Sequence, residues 1–181
     1  MAGHPQRAHQ DGLTLPELLA TLTVVLIIAV GMADFLPRFL QESRMVTAVN
    51  GFVAALHLAR SEAIMRGRQV VLCPSRDRLS CGNSRDWRGG WLLFASDDRE
   101  REPHEPLLQV GPPPGRGIHM HAGNHRKRIV YQPDGSSGGT NSTFTFCGRD
   151  RRTTPRVICL SNTGRPRLSR TRCNGKPVVC P

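Results

Sequence analysis

The chain has 181 residues, of which 38% are hydrophobic, 22% charged and 5% aromatic. This length holds one modest globular domain and little else, which excludes a multidomain enzyme. The 25 lysines and arginines outnumber the 14 acidic residues, and the resulting charge of +11 favours an anionic partner such as nucleic acid or an acidic surface.

The first predicted element is an apolar helix near the amino terminus. Residues 13–36 are nearly all apolar, with Glu17 and Asp34 as their only charged residues. A helix from Leu13 to Ala33 would be about 31 Å long at 1.5 Å per residue, enough to cross a membrane once. A secretory signal peptide fits poorly, because the apolar run is too long and no small-residue cleavage site follows it. An ionised carboxylate is costly in a bilayer, so we expect Glu17 to have a partner group and a function.

An amphipathic helix is predicted to continue the chain over residues 37–67 and to end near Gly67. Apolar residues recur at spacings of three and four and form one stripe suited to packing on a sheet. The stripe comprises Met45, Val49, Phe52, Leu56, Ala59 and Ala63. His57 is predicted to be a surface or boundary residue of this helix.

Residues 68–181 are predicted to form a β-rich head. Short β-type runs alternate there with turn residues, which is typical of antiparallel strands. The runs are Gln69–Cys73, Trp91–Ala95, Leu107–Val110, Gly117–His121, Ile129–Gln132, Thr143–Cys147 and Val157–Ser161. The connections, above all residues 96–106, 111–115 and 133–141, are rich in Gly, Pro, Asp and Arg and are expected to be exposed and variable in conformation.

The six cysteines predict disulfides in an oxidising compartment. They form three sequence-local pairs, Cys73 and Cys81, Cys147 and Cys159, and Cys173 and Cys180, with seven, eleven and six residues between partners. No pair has the tight spacing of a zinc knuckle, which argues against a structural metal. Six cysteines allow fifteen pairings, and the local pairing is the most economical in loop closure.

The carboxyl-terminal segment concentrates the positive charge. Nine basic residues and one acidic residue lie between positions 145 and 181. Gly164, Arg165, Pro166 and Arg167 place two guanidinium groups two residues apart after a glycine turn, and an extended backbone would point both to one side. Such a pair suits bidentate contacts to successive phosphates. The alternatives are a basic loop without a specific partner and one that favours anionic lipid head groups. Further basic residues would widen the footprint: Arg149, Arg151, Arg152, Arg170 and Arg172.

Three other patterns are weaker indications of chemistry. Residues 135–139 satisfy GxSxG, but Pro133 and Asp134 precede them and a β-type run follows, so we expect a flexible hairpin loop instead of a nucleophile elbow. His119, His121 and His125 lack a carboxylate or cysteine to complete a metal site. The acidic run over residues 97–105 is interleaved with arginines and lacks the spacing of a calcium loop. We expect no enzymatic activity, no cofactor and no metal.

The residues Gly12-Leu13-Thr14-Leu15-Pro16-Glu17-Leu18-Leu19 resemble the class III signal of type IV pilins and type II secretion pseudopilins. The resemblance implies that residues 1–12 are a leader, that a prepilin peptidase cuts after Gly12, and that Leu13 becomes the methylated first residue. Residues 13–36 would then form a retained membrane and filament-core helix. Glu17 would pair with the terminal amine of a neighbouring subunit.

Further segments resemble the GspH/FimT family of minor pilins and pseudopilins. They are Leu58–Ile64, Val70–Cys73, Trp87–Trp91 and Leu160–Arg167. The resemblance implies an α+β fold, in which a long amino-terminal helix carries a head of two antiparallel sheets. It also implies a single-pass protein of the bacterial inner membrane with a periplasmic head, assembled with other minor and major pilins or pseudopilins.

The segment from Gly164 to Arg167 resembles the GRxR motif of the FimT branch, whose members bind DNA during natural transformation. This resemblance implies a minor pilin at or near the tip of a type IV pilus that binds extracellular double-stranded DNA. The alternative is a structural pseudopilin H in the tip complex of a type II secretion system.

Overall fold

The computed structural model describes residues 14–33, 35–96, 103, 106–123, 126–150 and 153–180. The predicted cleavage site at Gly12 and Leu13 lies outside the described residues, as do Arg151 and Arg152. His125 and nearly all of the acidic run over residues 97–105 also lie outside them. The chain divides into two compact units between Phe39 and Leu40.

The first unit contains helix α1, Leu15–Ala33. No residue of this helix is buried, and its leucines, isoleucines and valines are exposed. By length and composition, the apolar helical region that begins at Leu15 could cross a membrane. Asp34, which follows Ala33, lies outside the described residues.

Helix α2, Phe35–Arg66, supplies the packing stripe of the second unit. All six residues of the predicted stripe are buried, and Ala55 is buried beside them. The helix ends one residue before Gly67, whose φ of 62° is a conformation that glycine adopts without strain. The predicted stripe and helix end are therefore confirmed, and His57 is exposed as expected.

Eight strands form two antiparallel sheets of four strands each. Sheet A has the order β3-β2-β1-β5 and sheet B the order β4-β6-β7-β8. The strands are β1 Gln69–Pro74, β2 Trp91–Ser96, β3 Gln109–Gly111, β4 Ile118–Ala122, β5 Ile129–Tyr131, β6 Ser142–Gly148, β7 Arg156–Leu160 and β8 Pro166–Ser169. The predicted α+β fold with two small antiparallel sheets is confirmed.

Strand β8 is the element that the sequence did not predict. It contains one strongly apolar residue, Leu168, and it begins with Pro166. A proline has no N–H to donate, but it is tolerated as the first residue of a strand at the edge of a sheet. Because β8 lies at the edge of its sheet and has few apolar residues, its sequence lacks the alternation of apolar and polar residues that predicts a strand.

The main core lies between α2 and the inner faces of both sheets. Phe52 of α2 is at its centre, with ring centroids 4.7 Å from Phe144, 5.6 Å from Trp87, 6.0 Å from Phe146 and 6.4 Å from Trp91. The other face of sheet A carries a smaller cluster around Val71, Leu92 and Phe94. Cys81, disulfide-bonded to Cys73 of β1, packs against that cluster.

Candidate nucleic-acid interface

The outer face of sheet B, which points away from the main core, carries the candidate interface. Ile158 and Leu160 of β7 belong to the main core, so the alternation of a strand directs Cys159 to the outer face. Cys147 lies on the same face, because Phe144 and Phe146 of β6 point inward. The two cysteines therefore mark the side on which any disulfide-bonded partner segment must lie.

That partner segment is the carboxyl-terminal strap, residues 170–180. Disulfides join Cys159 to Cys173 and Cys147 to Cys180, with Cα atoms 5.6 Å and 5.8 Å apart. The Thr143 hydroxyl lies 2.9 Å from the Cys173 sulfur. The strap has few apolar residues to hold it to the sheet, so the two covalent links determine where it lies.

All six cysteines form disulfides, but the local pairing is wrong for four of them. Only the Cys73–Cys81 bond matches it. The register of the β6–β7 pair explains why: Cys159 lies opposite Thr143, four residues along β6 from Cys147. Four residues of strand measure about 13 Å, whereas the Cα atoms of a disulfide are at most about 7 Å apart.

Arg165 and Arg167 project from the β8 edge of this outer face. Arg167 lies opposite Cys159, and Arg165 stands two residues earlier, immediately before β8 begins at Pro166. Both side chains are exposed, and among the described residues neither forms a hydrogen bond or ion pair through its guanidinium group. That both guanidinium groups point to one side stays a prediction, because Arg165 precedes the first residue of β8.

The other described arginines of the predicted footprint do not join this pair as one cluster. By the strand register, Arg149 lies eight residues along the direction of β6 from the level of Arg165. Eight residues of strand measure about 26 Å. Arg170 follows β8, three residues after Arg167, and lines a different groove with Arg156 and Leu168. Arg172 belongs to the strap and lines a groove with His121 and Thr145 towards the β4 edge.

A buried polar clamp fixes the turn that carries Arg165. Ser137 donates from its backbone N–H to the Asn162 carbonyl at 2.9 Å and from its hydroxyl to the Ser161 carbonyl at 2.7 Å. The Tyr131 hydroxyl donates to the Gly164 carbonyl at 3.2 Å, and burial raises the pKa of Tyr131. These contacts connect strand β5 and the loop after it to the β7–β8 turn.

The clamp corrects one expectation about the GxSxG segment. Residues 135–139 do form a loop, but the predicted hairpin is wrong because β5 and β6 belong to different sheets. The expected exposure is also wrong for Gly135 and Ser137, which are buried. A nucleophile elbow is excluded by the strands on both sides of the loop, β5 and β6. Sequence analysis missed Tyr131 and Ser137 because their partners are 24 or more residues away.

Gly164 is required at its position by backbone conformation and by space. Its φ is +75°, and an added Cβ would overlap the carbonyl oxygen of Gly135 and lie 2.9 Å from a ring carbon of Tyr131. We therefore expect Gly164→Ala to lower the free energy of unfolding by about 2–4 kcal/mol through left-handed strain and overpacking. Denaturant titration followed by tryptophan fluorescence measures this loss.

The matched control is Gly175→Ala. Gly175 has a similar φ of +78° but nothing within 4 Å of the added Cβ, so the cost should be about 1–2 kcal/mol, from strain alone. Equal losses in the two variants would show that the clamp does not restrict Gly164.

The histidine pattern does not form a metal site in the described part of the chain. His119 and His121 lie on β4, at one edge of sheet B, and both are partly exposed. No group of three or more potential metal-ligating side chains occurs among the described residues.

The sequence was compared with known families and structures. The model of the family described as "Type II transport protein GspH" matches residues 48–164, which is more than half of the chain. The chain belongs to this family. The GspH match ends at Gly164, so Arg165, Pro166, Arg167 and the strap lie beyond the matched residues. A search of curated proteins finds no match.

Solved structures of other pilins share the fold. The type IV minor pilin FimU of Pseudomonas aeruginosa is 20% identical, with a TM-score of 0.59 over 72% of this chain and 92% of FimU. A second crystal form of FimU gives 22% identity and a TM-score of 0.54, with 68% and 90% covered. The minor pseudopilin EpsH from the type 2 secretion system of Vibrio cholerae is 15% identical, with a TM-score of 0.48 over 68% of this chain and 94% of EpsH.

The predicted family membership is therefore confirmed. The chain is a member of the family described as "Type II transport protein GspH", and it has the fold of the type IV minor pilin FimU.

Proposed function

We propose that the protein is a minor pilin of a type IV pilus, assembled at or near the pilus tip, and that it binds double-stranded DNA through Arg165 and Arg167. The observation that supports the proposal is a pair of exposed arginines at an edge strand, beside a turn held by a buried polar clamp. Because the clamp fixes the turn, little backbone conformational entropy is lost when the arginines bind.

The chemistry of this surface suits phosphate better than bases. From position 161 to 181 the chain has five basic residues and no acidic one. Arginine binds phosphate through paired, charge-assisted hydrogen bonds. The same segment has no aromatic residue on which a base could stack. We therefore expect contacts to the DNA backbone, with little dependence on base sequence.

The amino-terminal residues complete the proposal. Gly12 and Leu13 would be the site of cleavage by a prepilin peptidase and of methylation. The helix after them would anchor the protein in the inner membrane and enter the filament, with the second unit in the periplasm. Glu17 stands in the first turns of α1, among exposed apolar side chains, where a neighbouring subunit's terminal amine would neutralise it.

A second function has one observation in its favour. The family model that matches is described as a type II transport protein, which favours a structural pseudopilin in the tip complex of a type II secretion system. In that case the basic edge would have no nucleic-acid ligand. Pilus-assembly genes beside this gene would support the first function, and a secretion operon would support the second.

Replacement of both arginines tests the proposal. The full chain in detergent micelles should bind a fluorescent 24-base-pair duplex with an affinity that falls steeply with salt, because phosphate neutralisation releases counterions. Arg165→Ala with Arg167→Ala should lower this affinity and reduce the salt slope by up to about two, since each lost phosphate contact removes about 0.9. Fluorescence anisotropy over a range of salt concentrations gives both quantities.

The control is Arg44→Ala with Arg116→Ala, which removes the same charge from two exposed positions away from β8. Equal losses in the two double variants would show a net-charge effect instead of a site. Absence of duplex binding by the unaltered protein at moderate salt would favour the secretion function.

A further inference from the structure

A large groove lies at the β4 edge of sheet B, opposite the edge that carries Arg165 and Arg167. Its volume is about 1040 Å³, at the upper limit of the usual range for ligand sites, about 300–1,000 Å³. Three parts of the chain line it: the segment Asn83–Asp86, the β4 end with Lys127 and Thr145 nearby, and the strap with Arg172 and Val179.

Both walls of the groove are held firmly. The wall at residues 83–86 is bonded to β4, with the Ala122 N–H donating to the Arg85 carbonyl and the Trp87 N–H donating to the Met120 carbonyl, each at 3.2 Å. Trp87 is fully buried in the aromatic core. The opposite wall is the strap, which the two disulfides attach to β6 and β7. The groove is therefore preformed.

Three basic side chains line this groove. Arg85, Lys127 and Arg172 are exposed, and none has a side-chain hydrogen bond or ion pair within the described part of the chain. The groove is thus lined by three positive charges that bind no protein carboxylate there.

Among the described residues that line the groove, the one carboxylate, Asp86, is paired with arginines. Asp86 accepts hydrogen bonds from Arg88 at 2.7 Å and from Arg76 at 3.3 Å. The hydrogen bond from Arg88 holds the pKa of Asp86 at about 2, so this carboxylate is ionised and paired at neutral pH. It does not neutralise the three cations of the groove.

Neutral polar groups occupy the rest of the lining. Asn83 and Thr145 offer side-chain hydrogen-bond donors, whereas the Ser84 hydroxyl donates to the Asp86 carbonyl. Burial lowers the pKa of His121, with further lowering by Arg88, His119 and Arg85 against an opposing effect of Asp86. His121 is therefore uncharged at pH 7 and adds a neutral ring to the lining.

We propose that this groove binds the phosphodiester backbone of a nucleic acid, as a second contact on the duplex that Arg165 and Arg167 bind. This inference extends the proposed function and rests on it. Strands β4 and β8 are three strand spacings apart, or about 14 Å, close to the width of the major groove of B-DNA, about 12 Å. A duplex lying across the strap therefore reaches both edges of sheet B.

The first test uses residues outside the Arg165 edge. Arg85→Ala with Lys127→Ala, in the full chain in detergent, should lower the affinity for the 24-base-pair duplex about tenfold at low salt and reduce the salt slope by up to about two. The control Arg44→Ala with Arg116→Ala removes the same charge elsewhere. An effect of the groove variant no larger than that of the control would overturn the inference.

The second test separates the groove from the proposed function. Tripolyphosphate, titrated calorimetrically into the full chain, should still bind the Arg165→Ala with Arg167→Ala variant, because that variant keeps the groove. The groove variant should bind it at least about fivefold more weakly, since two of three cations are lost. If the unaltered protein fails to bind the duplex, the proposed function is wrong. The tripolyphosphate titration then tests by itself whether the groove binds phosphate. Undiminished tripolyphosphate binding by the groove variant would exclude it as a phosphate site.

Discussion

Phe52→Ala is expected to lower the free energy of unfolding of the second unit by about 3–5 kcal/mol, the usual cost of removing a fully buried phenylalanine. Four aromatic rings from both sheets and the segment between β1 and β2 surround this side chain. Its removal leaves a cavity where α2 meets the two sheets. The two tryptophans of the chain, Trp87 and Trp91, are both in contact with Phe52, so their fluorescence during denaturant titration reports the change directly.

An exposed phenylalanine of the same helix provides the control. Phe35 is 66% exposed, so Phe35→Ala should leave the unfolding of the second unit within about 0.5 kcal/mol of the unaltered protein. A loss below about 1 kcal/mol for Phe52→Ala would mean that α2 does not organise the core.

Removal of one strap disulfide should affect both stability and binding. The Cys159–Cys173 bond closes a sequence separation of 14 residues, for which the chain-entropy estimate is about 3 kcal/mol. Cys159→Ser with Cys173→Ser should therefore lower the free energy of unfolding by about this amount. It should also weaken duplex binding about tenfold, because Arg172 precedes Cys173 and loses its fixed position. Denaturant titration and anisotropy measure the two effects.

The matched control is Cys73→Ser with Cys81→Ser, whose disulfide belongs to sheet A and spans 8 residues. That variant should lose about 2–3 kcal/mol of stability and keep its affinity for DNA. If both disulfide variants lost affinity equally, the position of the strap would have no part in binding.

Local patterns in the sequence were sufficient for much of the fold. The stripe from Met45 to Ala63 repeats with the helical period, and every member is buried as predicted. Seven of the strands were predicted within about two residues at each end, because apolar residues alternate with polar ones or fill short runs between turns. Strand β8 has neither signal, since Leu168 is its only strongly apolar residue.

The disulfide pairing and the residues of the groove depend on contacts between distant parts of the chain, which local sequence patterns do not reveal. The pairing of Cys147 and Cys159 depends on the β6–β7 register, which spacing along the chain does not reveal. The closeness of Arg165 and Arg167 follows from their spacing in the sequence, whereas the place of Arg167 on the outer face follows from its register with Cys159. Arg85 and Arg172 are far apart in sequence and meet only because the strap folds back over sheet B. A candidate site of that kind requires the tertiary structure.

The position of β8 at the end of sheet B has a consequence for self-association. It pairs with β7 on one side and with no other strand among the described residues, so its outer backbone groups form an open edge. Open edges recruit strands from other chains, and charged side chains and proline suppress such pairing. Pro166 and Arg167 stand on this edge, so residues at the proposed DNA site also disfavour sheet-to-sheet pairing between neighbouring copies. A bound polyanion would neutralise the arginines at this edge and so remove the charge repulsion between two copies.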